Sequence, residues 1–169
     1  RIMSTKSRKT SRKAKPAAKK QPSGVLARNR RATFDYEILE TYEAGLALLG
    51  TEIKSIRAGR VSLAEAYAYP GQGELWLYNM HVSPYTEGGA SNHDPTRPRK
   101  LLLHKRQIEE LMGKVTRKGL TIIPMRLYIK NRVAKVAIGL AKGKRRYEKK
   151  QVLIEREVDR EIRRVMKGD

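Results

Sequence analysis

Apolar residues alternate with polar or small ones in two neighbouring segments, Leu120–Ile129 and Val133–Leu140, which flank a short turn at Asn131. A period of two is typical of strands that bury one face, and Asn is a common turn residue. We therefore predict an antiparallel hairpin whose apolar face lies in the core. Its other face carries Tyr128 and Lys135, and two interpretations of the ring stay open: it stacks on a nucleic-acid base, or it only covers the surface of the fold.

The segment Phe34–Leu49 alternates in the same way over a greater length, and it predicts a long strand with a bulge or bend at Gly45. A second hairpin is predicted from Ala64–Tyr69 and Glu74–Asn79, which flank the turn sequence Pro-Gly-Gln-Gly. Several short antiparallel strands in a chain of 169 residues favour one small β-barrel, closed or nearly closed.

Two helices are expected beside these strands. Apolar residues recur at helical spacing in Lys105–Lys118, basic residues lie at its C-terminal end, and Gly119 follows as a stop signal. A shorter helix is predicted with Thr51 as its N-terminal cap and Gly59 at its end. The predicted fold class is therefore mainly β, an antiparallel barrel with accessory helices.

The charge distribution indicates the kind of partner. Lys and Arg total 38 against 17 Asp and Glu, which gives a net charge of +21. Self-repulsion of this size is relieved by a polyanion such as RNA, DNA or an anionic membrane surface. Residues 1–31 hold 12 Lys and Arg and no acid. We expect residues 1–28 to form a disordered basic arm, because this segment has almost no large apolar side chains.

Catalytic and metal chemistry finds little support in the sequence. The absence of Cys excludes disulfides, thiolate zinc sites and Cys nucleophiles, and it suits a reducing cytoplasm. The three His share no helical spacing, and the Gly- and Lys-rich segment 139–144 lacks the spacing of a phosphate loop. No apolar run is long enough for a transmembrane helix. We predict a binding protein without cofactor or metal, with a metal-dependent nuclease as the enzymatic alternative.

Five segments of the chain have a distinctive residue order. They are Asn29-Arg-Arg-Ala, Tyr42-Glu-Ala-Gly45, the residues Gly50 to Gly59, the residues Asn92 to Arg106, and Ala141-Lys-Gly-Lys144. In this order and register, from about Asn29 to Lys167, the chain resembles the small protein B (SmpB) family, the bacterial tmRNA-binding proteins of trans-translation.

The resemblance implies an OB-like tmRNA-binding barrel over residues 29–141 and a basic C-terminal tail over residues 142–169 that is helical on the ribosome. Family members bind the tRNA-like domain of tmRNA and enter the A site of a stalled ribosome with elongation factor Tu and GTP. The tail then lies in the vacant mRNA path beside small-subunit rRNA. We accordingly expect a cytoplasmic monomer with no membrane role. The alternative, a general RNA-binding or ribosomal β-barrel protein, explains the charge and the barrel but not the motifs.

The resemblance also implies a set of RNA contacts on the barrel. Glu43 can only accept hydrogen bonds, for example from a 2′-hydroxyl or a guanine edge, whereas Arg57 and Lys135 are suited to phosphates. Leu102 is expected to support this face from the core without touching RNA. The predicted tmRNA-binding set is Asn29, Glu43, Arg57, Leu102, His104 and Lys135.

For the tail, the resemblance implies ribosome contacts around an aromatic ring and a charged triplet. Tyr147 would stack on decoding-centre rRNA, and Glu148-Lys149-Lys150 stand where the family usually has Asp-Lys-Arg. The predicted decoding-centre and mRNA-path contacts are Lys144, Arg145, Arg146, Tyr147, Glu148, Lys149 and Lys150.

From Gln151 onward, apolar residues recur at helical spacing among basic ones. A helix of this length without packing partners is marginal in water. We therefore expect a tail that is disordered in solution and folds when RNA supplies the counter-charge. The alternative is a helix that is permanently docked on the barrel through its apolar stripe.

Overall fold

The computed structural model describes residues 24–168, so residues 1–23 of the predicted arm lie outside the described residues. The strands in this part of the chain are β1 Val25–Arg28, β2 Tyr36–Leu46, β3 Val61–Ser62, β4 Tyr67–Gly71, β5 Glu74–Tyr78, β6 His81–Val82, β7 Arg99–Leu102, β8 Thr121–Lys130 and β9 Val133–Gly143. The helices are α1 Ala32–Asp35, α2 Gly50–Arg57, α3 Lys105–Lys118 and α4 Arg146–Lys167.

Six of the strands close into an antiparallel barrel. Neighbouring strands follow the order β8-β4-β5-β7-β2-β9, and β9 pairs again with β8, which completes the ring. β1 pairs with a further part of β8, and β3 and β6 form a separate two-stranded sheet. The predicted fold class, a mainly β antiparallel barrel with accessory helices, is confirmed.

Alternation along the strands fills the barrel interior with aliphatic side chains. In β5, Leu75 and Leu77 are fully buried, while Trp76 between them is only half-buried. In the β8–β9 hairpin, Leu127 and Val136 pair directly and are both fully buried. Each such side chain contributes about 1.5–3 kcal/mol through burial, and this fixes the register because a slip of one residue would expose the whole set.

Both predicted hairpins are present, and each turns through two residues with positive φ. Asn131 and Arg132 have φ values of 51° and 65°, and Gln72 and Gly73 have values of 52° and 75°. Such turns match the twist of the paired strands. The second turn is shorter than the predicted four residues because β4 continues to Gly71.

The strand predicted over Phe34–Leu49 differs from its prediction in two respects. Residues 32–35 form α1, so β2 begins after them. The irregularity in its pairing with β9 lies between Ile38 and Glu40, and not at Gly45. Gly45 instead lies where β2 passes from its neighbour β9 to its neighbour β7.

The helix α3 has the bounds that the sequence predicts. Ile108 and Leu111 are its buried residues, and Gly119 ends it in the left-handed conformation with φ 60°. The ammonium group of Lys114 lies 2.7 Å from the carboxylate of Glu40 and so ties the helix to β2. Because a two-residue connection joins β7 to α3, the start of this helix lies beside the end of β7.

The helix α2 is present, but its N-terminal cap is not the predicted one. The carboxylate of Glu52 accepts a hydrogen bond from the backbone N–H of Leu49 at 2.8 Å. The hydroxyl of Thr51 lies instead 2.9 Å from Nδ1 of the buried His93. An acid at the third helical position can reach back to the capping residue, and this leaves the Thr51 hydroxyl available to the histidine.

The barrel extends beyond the predicted boundaries of residues 29–141. Val25–Arg28, which we assigned to the disordered arm, form β1 and pair with β8. This pairing satisfies backbone groups of β8, and Leu26 and Ala27 pack against the core. At the other end, β9 continues to Gly143.

The C-terminal tail is one continuous helix, α4, which contacts the barrel through α1. Nζ of Lys149 lies 3.0 Å from Oδ1 of Asp35. The guanidinium carbon of Arg156 lies 5.3 Å from the centre of the Phe34 ring, a cation–π contact. No residue of α4 is buried.

The apolar stripe of α4 is not covered by the barrel. Ile154, Val158 and Ile162 are each about half exposed, with exposed fractions of 52%, 48% and 48%. The alternative of a helix docked through this stripe is therefore wrong. Disorder of the tail in solution and its folding on RNA stay a prediction.

Candidate nucleic-acid interface

An open groove of about 770 Å³ lies on the outer face of the barrel, where β7, β2 and β9 meet the start of α3. Four of the six predicted RNA-binding residues line it, namely Glu43, Leu102, His104 and Lys135. The strand register explains this convergence. Leu102 pairs with Gly45, and Gly45 pairs with Lys135. Directly opposed residues in antiparallel strands share a face, so the three strands present these positions side by side.

Leu102 lies on the exposed side of β7. Its exposed fraction is 50%, while the preceding Leu101 is fully buried, as strand alternation requires. The expectation that Leu102 supports the interface from the core is therefore wrong. A Cβ on Gly45 would come within 3.2 Å of Cβ of Leu102, so the glycine provides the space that this leucine occupies.

The carboxylate of Glu43 is held in place from two sides. The phenol of Tyr128 donates a short hydrogen bond to it, and Nζ of Lys130 lies 3.2 Å from its Oε1. The bond from Tyr128 is the main cause that lowers the pKa of Glu43 below its usual value. The charges of Lys130 and Lys135 lower it as well, and burial opposes them. Glu43 is thus an ionised, oriented acceptor at the edge of the groove.

Tyr128 is buried, with an exposed fraction of 3%. The guanidinium carbon of Arg126 lies 5.9 Å from the centre of its ring. Burial and the bond to Glu43 raise the pKa of Tyr128 to about 12, which keeps the phenol protonated as a donor. The interpretation of this ring as a base-stacking surface is therefore wrong, and Tyr128 supports Glu43 instead.

The groove also holds three lysines and a histidine. His104 is exposed and forms the N-terminal cap position of α3. Lys135 and Lys105 form no ion pair with the residues that the structure describes, whereas the ammonium group of Lys100 bonds to Glu74. Sequence reasoning did not assign Lys100 and Lys105 to this surface. Strand alternation could have assigned Lys100 to this face, since it lies two positions before Leu102 on the same strand.

The structure places Arg57 and Asn29 outside this groove. Arg57 is exposed and donates a hydrogen bond to the backbone carbonyl of Arg132 at 3.3 Å, beside the turn between β8 and β9. Asn29 is buried, and its Oδ1 accepts the backbone N–H of Ala32 at 3.2 Å. Asn29 therefore shapes the entry to α1, and its contact with RNA stays a prediction.

A buried ionic cluster anchors the long connection that leads into β7. Glu52 and Arg99 are both fully buried, with Nε of Arg99 2.9 Å from Oε1 of Glu52. Arg97 adds a hydrogen bond of 2.7 Å to the other carboxylate oxygen. Nη1 of Arg99 also donates to the backbone carbonyl of Met80 at 2.6 Å. This cluster joins α2, the connection and β7, and so fixes the strand that carries Leu102.

Burial alone would raise the pKa of Glu52. The hydrogen bonds from Arg97 and from the Leu49 N–H, together with the charge of Arg99, lower the pKa of Glu52 below its usual value. Burial lowers the pKa of Arg99, although the neighbouring carboxylate opposes this. Both groups are charged at neutral pH, and the pair satisfies the requirement that buried charges be compensated.

The seven predicted tail residues fall into two groups. Three are engaged within the protein: Lys144 donates to the Thr33 carbonyl at 2.9 Å, Lys149 pairs with Asp35, and Glu148 accepts the Arg145 backbone N–H at 2.7 Å. The acid of the charged triplet therefore caps α4. The side chains that remain exposed at the start of the helix are Arg145, Arg146, Tyr147 and Lys150.

The described residues contain neither a cluster of metal ligands nor a helix suited to cross a membrane. Within residues 24–168, no group of three or more His, Asp or Glu side chains lies close enough together to hold a metal ion. Over the same residues, no helix has the length and apolar character needed to cross a membrane.

A small antiparallel barrel whose outer groove carries lysines is an architecture that many nucleic-acid-binding proteins use. Residues 26–168 match the family model described as SmpB protein. The chain belongs to the SmpB protein family, as its motifs led us to expect.

Curated relatives and one solved structure agree with this assignment. The chain is 54% identical to an SsrA-binding protein of Carboxydothermus hydrogenoformans over 144 residues, which cover 85% of this chain and 97% of the relative. It is 56% identical to an SsrA-binding protein of Thermosynechococcus vestitus over 144 residues, covering 85% and 95%. A chain from the structure described as "tmRNA-SmpB: a journey to the center of the bacterial ribosome" is 52% identical, with a TM-score of 0.62 over 78% of this chain and 95% of that chain.

Proposed function

We propose that this protein binds the tRNA-like domain of tmRNA, the SsrA RNA, and brings it to the A site of stalled ribosomes for trans-translation. The observation that carries this proposal is the match to SmpB protein over residues 26–168, combined with a groove that collects four of the predicted contacts. The barrel holds the RNA, and protein and RNA together imitate a tRNA.

The chemistry of the groove suits folded RNA. Glu43 accepts a hydrogen bond from a 2′-hydroxyl or from the edge of a guanine, and its fixed orientation makes this contact selective. Lys135 and Lys105, which line the same groove, bind phosphates, and Leu102 packs against a sugar or a base. A groove with one oriented acceptor among amines favours a shaped RNA over an unstructured one.

The tail supplies the ribosome contacts. Tyr147 has an exposed fraction of 58% and stacks on an rRNA base of the small subunit, while Arg145, Arg146 and Lys150 contact phosphates. The complex arrives as a monomeric protein on tmRNA with elongation factor Tu and GTP. The protein acts as an adaptor and not as an enzyme.

A competition experiment tests the RNA partner. Labelled tRNA-like domain is bound to the full chain and challenged with equal concentrations of tRNA or unstructured RNA at a fixed salt concentration. We expect neither competitor to displace it. Displacement by either one would favour a general RNA-binding or ribosomal barrel protein. Identification of the RNA that co-purifies with the protein from its native cells gives an independent check, since tmRNA should predominate.

Incubation with Mg²⁺ or Mn²⁺ tests the adaptor role against a nuclease. We expect the RNA to stay intact over the time needed for many turnovers. Cleavage that EDTA abolishes would contradict the proposal.

A further inference from the structure

The hairpin β4–β5 presents an aromatic surface that none of the contacts above uses. Tyr67 pairs with Tyr78, and Tyr69 pairs with Trp76. Directly opposed and second-neighbour residues share a face, so these four side chains lie together on the outer face of the barrel. They comprise three of the eight tyrosines and the single tryptophan of the chain. We call them the aromatic ladder.

The ladder is accessible. The exposed fractions of Tyr67 and Tyr69 are 40% and 58%. The rings of Tyr67 and Tyr78 are stacked, with centres 5.5 Å apart and planes 21° apart. The indole of Trp76 lies along Gly71, since a Cβ on this glycine would be 3.6 Å from its Cδ1. The exposed rings of Tyr67 and Tyr69, and the missing side chain at Gly71 beside Trp76, leave room for a further planar group.

The ladder continues into the groove. Trp76 pairs with Lys100 on β7, and Lys100 shares its face with Leu102, two positions further along. Lys100 and Leu102 line the groove, as does Glu74 at the start of β5. One unbroken outer surface therefore runs from Lys135 through Leu102 and Lys100 to the aromatic rings.

We propose that the aromatic ladder is a stacking platform for an unpaired base of the RNA that occupies the groove. This inference rests on the proposed function and extends its interface by two strands. An RNA strand held by the groove amines and passing over Lys100 would bring its next base above Trp76 and Tyr69. Stacking on aromatic side chains of a barrel sheet is a common mode of single-stranded nucleic-acid binding.

The composition of the hairpin favours RNA over a protein as the occupant. Its aliphatic residues, Ala68, Leu75 and Leu77, are all buried in the core. The outward positions carry aromatic rings and Glu74, bordered by Lys100 on the adjacent strand. A platform of rings beside the groove lysines offers π-faces to bases and charge to phosphates.

Trp76 provides the first test, because it is the only tryptophan and its emission reports on the ladder alone. The full-length protein is titrated with the tRNA-like domain of tmRNA while the intrinsic fluorescence is recorded. We expect quenching that saturates together with binding, since a stacked base quenches indole emission. Unchanged emission at saturating RNA would overturn the proposal.

The second test is the variant Tyr69→Thr, which removes the ring but keeps a residue suited to a strand. We expect the affinity for the tRNA-like domain to fall about 5- to 150-fold, the range for the loss of one stacked base. The slope of affinity against salt should not change, because stacking releases no counter-ions. Tyr85→Thr is the control, since this tyrosine lies outside both the ladder and the groove and its hydroxyl bonds to Glu87 at the surface. Its affinity for this RNA should equal that of the wild type.

The outcomes separate this inference from the function on which it rests. If the wild-type protein does not prefer the tRNA-like domain to tRNA, the proposed function itself is wrong. If it does, and Tyr69→Thr binds as tightly as the wild type, only the stacking platform is wrong. If Tyr69→Thr keeps the RNA affinity of the wild type but loses tagging on stalled ribosomes, the ladder serves another partner. This outcome would also overturn the inference.

Discussion

The phenol of Tyr128 donates a hydrogen bond to the carboxylate of Glu43 across strand β9, which lies between their two strands. The donor is buried and the acceptor lies at the edge of the groove. Together with the ion pair to Lys130, this contact fixes the direction of an acceptor at the surface. A buried residue thus prepares an exposed one for recognition, so substitutions at position 128 should affect binding without any contact to RNA.

Tyr128→Phe tests this relationship. Removal of the hydroxyl should destabilise the fold by about 1 kcal/mol and weaken binding of the tRNA-like domain several-fold. The pKa of Glu43 should rise towards its ordinary value, because the bond that lowers it most is lost. On acidification, RNA binding by the variant should therefore decline at a higher pH than RNA binding by the wild type.

Tyr85→Phe is the control, since its hydroxyl bonds to Glu87 at the surface, 2.9 Å away. A variant at position 128 with wild-type affinity and pH profile would contradict the positioning role.

Lys135→Ala should weaken RNA binding and lower the slope of log affinity against log salt by about 0.7–0.9, the value for one phosphate contact. The affinity is measured at four or more salt concentrations. Lys142→Ala removes an exposed lysine from the same strand but outside the groove and should leave the slope unchanged. Equal slopes for Lys135→Ala and the wild type would remove Lys135 from the interface.

Glu52→Gln should destabilise the fold by about 3–5 kcal/mol, because it leaves two guanidinium groups without their carboxylate in or near the core. Chemical denaturation measures this loss. Glu65→Gln is the matched control, since its ion pair with Arg31 is exposed and should contribute less than about 1 kcal/mol. Equal losses in the two variants would show that burial does not determine the strength of the ion pair.

The same carboxylate predicts a pH dependence of stability. The pKa of Glu52 is lowered in the folded protein, so its contribution is complete above the unfolded value of about 4.3 and is lost as the pH falls through the folded value. The wild-type free energy of unfolding should therefore fall more steeply below about pH 4.3 than that of Glu52→Gln. Parallel curves for the two proteins would contradict this assignment.

Deletion of the chain from Tyr147 onward separates the two interfaces. We expect binding of the tRNA-like domain to stay nearly unchanged, because the groove residues all precede the deletion. Tagging of nascent peptides on stalled ribosomes should be abolished. A large loss of RNA affinity would instead mean that the tail belongs to the barrel interface.

Amide exchange tests the state of the tail in solution. No residue of α4 is buried, so we expect fast exchange from Ile154 to Val165 in the free protein and slower exchange on the ribosome. Exchange should be slower near Lys149, where the helix is tied to Asp35. Strong protection throughout the free tail would contradict folding on binding.

Local patterns predicted the elements whose signals lie within a few residues. The bounds of α3 follow from its periodicity and its closing glycine, and both hairpins follow from alternation and turn residues. The cap of α2 was predicted wrongly at Thr51: the helix begins at Gly50 and Glu52 caps it, while the Thr51 hydroxyl contacts a histidine 42 positions away. Capping partners that come from distant segments leave no local signal.

In the candidate site, too, local patterns predicted some features and contacts between distant segments decided the others. Residue type and family motifs identified Glu43, Leu102, His104 and Lys135, which the strand register and the short connection from β7 to α3 then brought into one groove. Strand alternation was available for Leu102 but was not applied, and so its side was predicted wrongly. The burial of Tyr128 could not be read from its polar neighbours, because it depends on the side chains of Arg126 and Glu43 that cover and bind it.

The sequence by itself determined that this protein is a basic β-barrel of the SmpB family, since alternation, turns, charge and long motifs are all properties of short stretches of chain. Only the tertiary structure decided which side chains lie together in the groove. Pairing between strands that are distant along the chain placed Leu102 beside Lys135, buried Tyr128 beneath the surface and continued the groove onto the aromatic ladder. Those neighbours are set by the closure of the barrel, and closure is a property of the whole ring of strands.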